Sequence, residues 1–527
     1  MLNLATLALI VLFGWGLYTT ALAGVDSRNA AVEKLAADYQ KNDSQAPVLE
    51  MPALDEDTVL FMGLESMGIG LLAGWLMLSH FNALSIQEVF KNGRPLHAAA
   101  SMGLACCVCL AAFDAGIDYS ERTFEENGRF LSVTRRGKVV PGKDVKFSAA
   151  KTVDKEAGLE ESYKAADAGQ SVLLIKKGGE VYASGLFEKT GSSLDNPKKS
   201  AEEGWNAVVR MEDGTADFED ASLTSQAEGA YVFYAGGSAQ ASISASTLKN
   251  LGSEAAGGLS LAGKADMSLS SSSLSCVGKH SPAIAVYGGS LSSVANTLNA
   301  GPQSSPLFLV HGDVRSESDS GSTESQGAVL HGGGSLELYS TSLAAWGQGE
   351  YRDSDEGCIL ILNEGHDREK KAVFTGYGAD LSIRKKSPVY DKAPLFHVTN
   401  ATADILLTGC SLQTGSGILL RADATSRYGA AGKNGGIVNL TASNQELTGD
   451  ILADFSSTIN LSLQSSSYLG AVNERDQSDH VKVSLDAGSY WQLTGDSYIS
   501  ELENDDPNGW NIILNGHKLF VGGKEYK

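Results

Sequence analysis

From about residue 171 onward, short apolar runs return at a regular beat. They include SVLLIK (171–176), NAVVRM (206–211), GAYVFY (229–234), PAIAVY (282–287), PLFLVH (306–311), GCILIL (357–362) and GILLRA (417–422). Each is followed by a Gly-rich or Asn-containing turn. A strand-like stretch comes next, in which apolar or small residues alternate with polar ones, often closed by Ser-x-Leu. GGSLELYSTSL (333–343) is the clearest copy. A period of two places alternate side chains on opposite faces of a strand. Leu336, Leu338 and Leu343 are therefore predicted inside, with Glu337 and Tyr339 outside. Helical repeats require a 3.6-residue period, and propeller blades require about forty residues and four strands; neither fits. With Ala230, Gly258, Ala283, Pro306 and Ala328 as equivalent anchors, the interval is twenty-odd residues. Two or three short strands in that interval predict one coil of a parallel β-helix. About ten such coils, spaced by about 4.8 Å, would span roughly 50 Å.

The N-terminal third follows a different pattern. Residues 1–24 are apolar and end in Ala-Leu-Ala-Gly, readable as a signal peptide cleaved after Ala23 or as a first transmembrane helix. Residues 58–78, interrupted only by Glu65, and residues 96–113 are two further apolar stretches of near-spanning length. Residues 1–117 are thus expected to form a membrane module of two or three helices. Lys91 and Arg94 in the short loop between the last two spans place the C-terminal region outside. Arg122, Arg129, Arg135, Arg136 and Lys138 argue for the reverse. Long domains are exported largely regardless of charge, so the outside arrangement is expected. Residues 118–170, with a helix-prone stretch at 153–169, are read as a connector and N-terminal cap. Residues 171–502 form the β-helix and 503–527 close it, because a solenoid's last coil must be capped.

Composition narrows the function classes. The formal charge of −22 and the lack of a basic stripe interleaved with aromatics argue against nucleic-acid binding. The six cysteines show no metal-ligand or disulfide spacing. Gly-rich stretches such as GAAGKNGG (429–436) lack the lysine and Ser/Thr ending of a phosphate loop. The triplets at Asn400, Asn439 and Asn460 match glycosylation sequons.

The coils across 171–472, the ending TGDILADFSSTINLSLQSSSYLGAV and the following SYWQLTGDSYIS (489–500) carry a resemblance. They resemble uncharacterised, pectin-lyase-like β-helix proteins of bacterial and archaeal surfaces, described as adhesin-like. The resemblance implies an all-β fold, a right-handed single-stranded parallel β-helix, here preceded by an α-helical membrane segment. It supplies no catalytic residues.

Two functions are expected from different classes. The first is a membrane-anchored cell-surface protein, adhesin-like or glycan-binding and non-catalytic, whose partners are the membrane and an extracellular polysaccharide or surface protein. The second is a polysaccharide lyase or glycoside hydrolase on the same fold; a passive stalk is a third reading. A lyase site would gather carboxylates, in some cases around Ca2+, with an Arg or Lys as base. The nearest residues are Arg421, Asp423 and Arg427, then Asp450 and Asp454, then Asp353, Asp355 and Glu356. Solvated turns account for the same residues. No cofactor is expected, and His366 with Asp367 reads as an ordinary charged loop. Tyr287, Tyr339, Tyr377 and Trp346 are candidates for stacking on sugars.

Overall fold

A computed structural model describes strands from Arg122 onward, with side chains from Phe147. Residues 127–128, 134–138, 145–146, 193–202, 253–256, 350–355, 366–367, 426–427 and 431 are not described. Before Arg122 only residues 64, 68, 105, 106 and 109 are described, all helical. The expected membrane segments 1–24, 58–78 and 96–113 otherwise lie outside the described residues. Among the described residues, no helix is long and apolar enough to cross a membrane.

The chain divides into two compact units, Met1–Asp144 and Val145–Lys527. In the first, Arg122–Glu126, Arg129–Val133 and Val139–Asp144 form an antiparallel sheet. The second is a solenoid of stacked parallel sheets, as the alternation predicts. Each coil supplies three short strands, for example Tyr231–Ala235, Gln240–Ser244 and Thr247–Asn250. Like strands stack coil on coil, giving a first face of 12 strands and a second of 14. The third face has 10, and four strands continue its series toward the C-terminus. Fourteen coils at about 4.8 Å span roughly 60 Å.

Inward side chains stack into columns. Leu223, Leu248, Leu274 and Leu298 are in register on the third face. Leu336, Leu338 and Leu343 are fully buried, as the alternation requires. Rings of one column stack, as Tyr163 does on Phe187 at 5.4 Å, whereas rings from the first and second faces meet edge to face across the core, Phe218 with Phe233 and Phe374 with Phe396, each at 5.3 Å. The register differs from the sequence anchors. Phe233, Leu259, Ile284, Phe308 and Ala328 are equivalent, so Ala230 stands three residues early and Pro306 two. The helix-prone stretch is also overturned: Glu156–Leu159 and Ser162–Ala165 are strands of the first coil. Each pairs with the coil above, and stacking outweighs a weak local propensity.

The corner between the second and third faces explains Ser-x-Leu. Asp220, Ala245, Ser271, Ala295, Ser318, Ser340, Gly378, Gly409, Asn444 and Ser465 occupy this corner in successive coils. All are left-handed, with φ from 47° to 59°. The next residue's amide is turned out of the strand ladder, and a side chain of the following coil accepts it. Ala221 N donates to Ser246 Oγ (3.0 Å), Ser246 N to Ser272 Oγ (3.0 Å), Ser272 N to Asn296 Oδ1 (2.8 Å) and Asn296 N to Asp319 Oδ1 (2.7 Å). The ladder resumes near the C-terminus through Gln445, Ser466 and Ser489. Buried amides must find acceptors; the serine supplies one, and the leucine two residues on enters the core.

The C-terminal end is closed by Ser497–Ile499, Leu519–Val521 and Lys524–Glu525, the last two antiparallel.

Candidate functional site

The sequence candidates on the first face are drawn together only in part. Arg421 Nε lies 3.9 Å from Asp423 Oδ2. Asp423 Oδ1 is 2.8 Å from Nε2 of His397, a fully buried residue that sequence reasoning did not single out. His397 Nδ1 donates to the Glu356 carbonyl at 3.0 Å. Both ring nitrogens are therefore engaged, one by a carbonyl that can only accept. The imidazole offers no free nitrogen to a substrate and instead ties the segment at Glu356 to the sheet. Asp450 Oδ1 serves another junction, accepting from Ala471 N (2.9 Å) and Thr494 Oγ1 (3.2 Å). Asp454 caps its own turn through Ser456 N and Ser457 Oγ, and it also accepts from Ala424 N. Arg427, Asp353, Asp355, His366 and Asp367 lie outside the described residues. Among the described residues, no cluster of three or more His, Cys, Asp or Glu is placed to hold a metal ion.

Of the sequons, Asn400 is buried, and its side-chain amide donates to the carbonyls of Asn363 (2.6 Å) and Gly365 (2.7 Å). Asn460 donates to Asn439, and Asn439 to Asp404, along an outward ladder. Burial of Cys276 and Cys358 pushes each thiol up to about 12, which removes them from thiolate chemistry.

The outer surface of the second face carries a different feature, a groove of about 550 Å³ across the early coils. Its geometry follows from register. One outward column runs Gly158, Tyr182, Asp217, Ser242, Ser268, Ser292, Arg315 and Glu337. A neighbouring column runs Glu180, Thr215, Gln240, Asp266 and Ser290. Small serines make a low floor between a tyrosine at one end and an arginine at the other. Tyr182 to Arg315 is five coil steps, about 24 Å.

One end is aromatic. Tyr182 is half exposed, and a Cβ on Gly158, one coil away, would meet nothing within 4 Å. The ring therefore keeps open space on that side. Its hydroxyl donates to Glu180, and that bond and charge hold the phenol above its ordinary range. Beyond the other end, on the same face, the Arg315 guanidinium sits 4.0 Å from the Tyr339 ring centre, and Tyr339 stacks on Tyr377 at 5.9 Å. Tyr377 is also half exposed. Of the four aromatic candidates, Tyr339 and Tyr377 thus join this surface. Tyr287 packs against His311, and Trp346 is half-buried. Tyr182, Glu180, Asp217 and Asp266 were missed because alternation marks them as outward without saying which residues align between coils.

The class defined by these features is a parallel-β solenoid with a shallow outer groove that carries a tyrosine at one end. No family model matches the chain, and neither the curated proteins nor the solved structures offer a match to it.

Proposed function

We propose that this is a membrane-anchored, adhesin-like β-helix of the cell surface that binds a glycan along its second face without processing it. The observation that carries the reading is the groove itself. It is long and shallow, floored by hydroxyl, amide and carboxylate groups, with the exposed Tyr182 at one end and Tyr377 further along the same face, the arrangement that stacks on sugar faces and hydrogen-bonds their hydroxyls. The repeating floor suits a linear polymer lying along the solenoid.

The test is binding of the full chain to an array of neutral, acidic and amino-sugar glycans, followed by affinity measurement for the best ligand. Tyr182→Ala and Tyr377→Ala are each expected to weaken binding about tenfold, the loss of one stacking contact of roughly 1.4 kcal/mol. Unchanged affinity in both variants removes the groove from the reading, and an array with no hit favours the passive stalk. Protease added to intact cells is expected to cleave residues 171–527; protection until lysis would overturn the surface location. The lyase or hydrolase alternative draws on the Arg421–Asp423 pair. It predicts release of unsaturated or reducing ends that Asp423→Asn abolishes.

A further inference from the structure

We infer that the groove selects a linear amino-sugar polymer, one carrying free ammonium groups, over a neutral or acidic one. This rests on the reading that the groove holds a glycan, and it names the class. The groove is lined by Glu180, Asp217 and Asp266 together with Tyr182, serines, Thr215 and Gln240, and no Lys, Arg or His lines it. Glu156 and Glu219 extend the same sign in register with Glu180 and Ser244. The nearest cation along the floor column, Arg315, is already engaged with Glu317 and Glu337. A uronic-acid polymer would lay a row of carboxylates against these and be repelled; an ammonium-bearing polymer is attracted and adds hydrogen bonds.

The floor also fits an extended chain and not a compact ligand. Asp217 stands one coil from Tyr182, and Asp266 stands two coils from Thr215 in the next column. The carboxylates are therefore distributed along the axis at multiples of about 4.8 Å. An extended hexopyranose chain advances by a similar step, so sugar units and coils run nearly in step and the amines turned toward the floor recur at multiples of that spacing. Ser242, Ser268 and Ser292 fill the intervals with small polar groups that leave room for the rings. Asp266 is held in place by the Ser290 hydroxyl at 2.7 Å, which leaves its other oxygen for a ligand.

The experiment uses the full chain in detergent and three hexamers: β-1,4-linked glucosamine, its N-acetylated form and oligogalacturonate, titrated at 50 and 300 mM salt. The glucosamine hexamer is expected to bind at least tenfold tighter than the acetylated one, with galacturonate not binding. The preference is expected to shrink at the higher salt. The double variant Asp217→Asn with Asp266→Asn changes two exposed side chains and should fold normally. It is expected to lose the preference for the amine, bringing the affinities of the glucosamine and acetylated hexamers together. Equal affinity for the glucosamine and acetylated hexamers overturns this inference and leaves glycan binding standing. No binding of any hexamer overturns this inference, and no binding of any glycan on the array overturns both. Binding of a lysine hexamer as tight as that of the glucosamine hexamer also overturns it, because the groove would then read charge alone.

Discussion

His311 and His331 stack face to face with ring centres 3.8 Å apart, on the outer side of the first face. Tyr287 lies against His311, and Lys370 acts on both rings. Burial, then the neighbouring charges, lower His331 to about 3; burial and Lys370 lower His311 to about 4. Both values lie below the unfolded value near 6.5. Between that value and the folded ones, the unfolded chain takes up protons that the native state refuses. Stability is therefore full above about pH 6.5 and falls as the pH drops toward 3. The loss is at most about 1.4 kcal/mol per pH unit for each ring. His331→Phe keeps an aromatic in the stack and removes the more buried titrating ring. Urea unfolding at pH 7 and pH 5 should show the parent losing about 1–2 kcal/mol more than the variant over that interval. Equal losses would mean that other groups govern the acid response. Nothing in the apolar run PLFLVH or in AVLHG marked these histidines as partners, since they lie 20 residues apart in sequence and meet only through coil register.

At the scale of the element, the second-to-third corner is the part that sequence describes best and least completely. The serine in each Ser-x-Leu is visible as a repeated residue, but its task of accepting an amide from the preceding coil is not. The left-handed residue before it is glycine in only two of the ten corners named above. Aspartate and asparagine tolerate that conformation, whereas alanine has no side-chain bond to compensate for it. Ala245 and Ala295, at φ 47° and 57°, are the strained corners. Ala245→Gly and Ala295→Gly are each expected to raise unfolding stability by about 0.5–1 kcal/mol, strain relief exceeding the entropy that glycine adds to the unfolded chain. The check is the urea midpoint at constant slope. A lowered midpoint would show that the alanine methyl contributes packing that outweighs its strain. Conversely, Asn296→Ala removes the acceptor for Ser272 N and the donor to Leu269 O and Asp319. It is expected to destabilise by about 2 kcal/mol in the same measurement.

For the solenoid as a whole, each coil touches chiefly its two neighbours, so stability is approximately a sum over coils and interfaces. Ile284 and Phe308 occupy equivalent positions, which makes deletion of residues 284–307 an in-register removal of one coil. The shortened chain is expected to fold with the same β-type circular dichroism per residue and a slightly smaller urea slope, in proportion to the surface lost. Collapse into an aggregating or unfolded species would mean that the coil carries a contact its neighbours cannot replace. The groove ends in this coil, at Ser292, so the same deletion should shorten the longest oligosaccharide that gains affinity by about one sugar unit.

The sequence by itself determined the class of fold. Strict alternation, a turn at each interval and a recurring Ser-x-Leu leave a stacked parallel-β solenoid as the arrangement that buries every Leu and Val column. It also placed Leu336 and Leu338 inside and Tyr339 outside, because the pleat fixes facing from local order alone. The tertiary structure decided everything that depends on which coil lies above which. Register shifted the anchors at Ala230 and Pro306, turned residues 156–165 from a helix-prone stretch into strands, and set Tyr182 over Asp217 and Arg315 over Glu337. It enclosed His397 between Glu356 and Asp423 and thereby withdrew that imidazole from solvent. The physical reason is one of range. Facing is set by neighbours one or two residues away, whereas a groove or a buried pair is made by residues twenty or more apart. Their alignment is fixed by backbone pairing between coils, and inserted loops vary the interval from coil to coil.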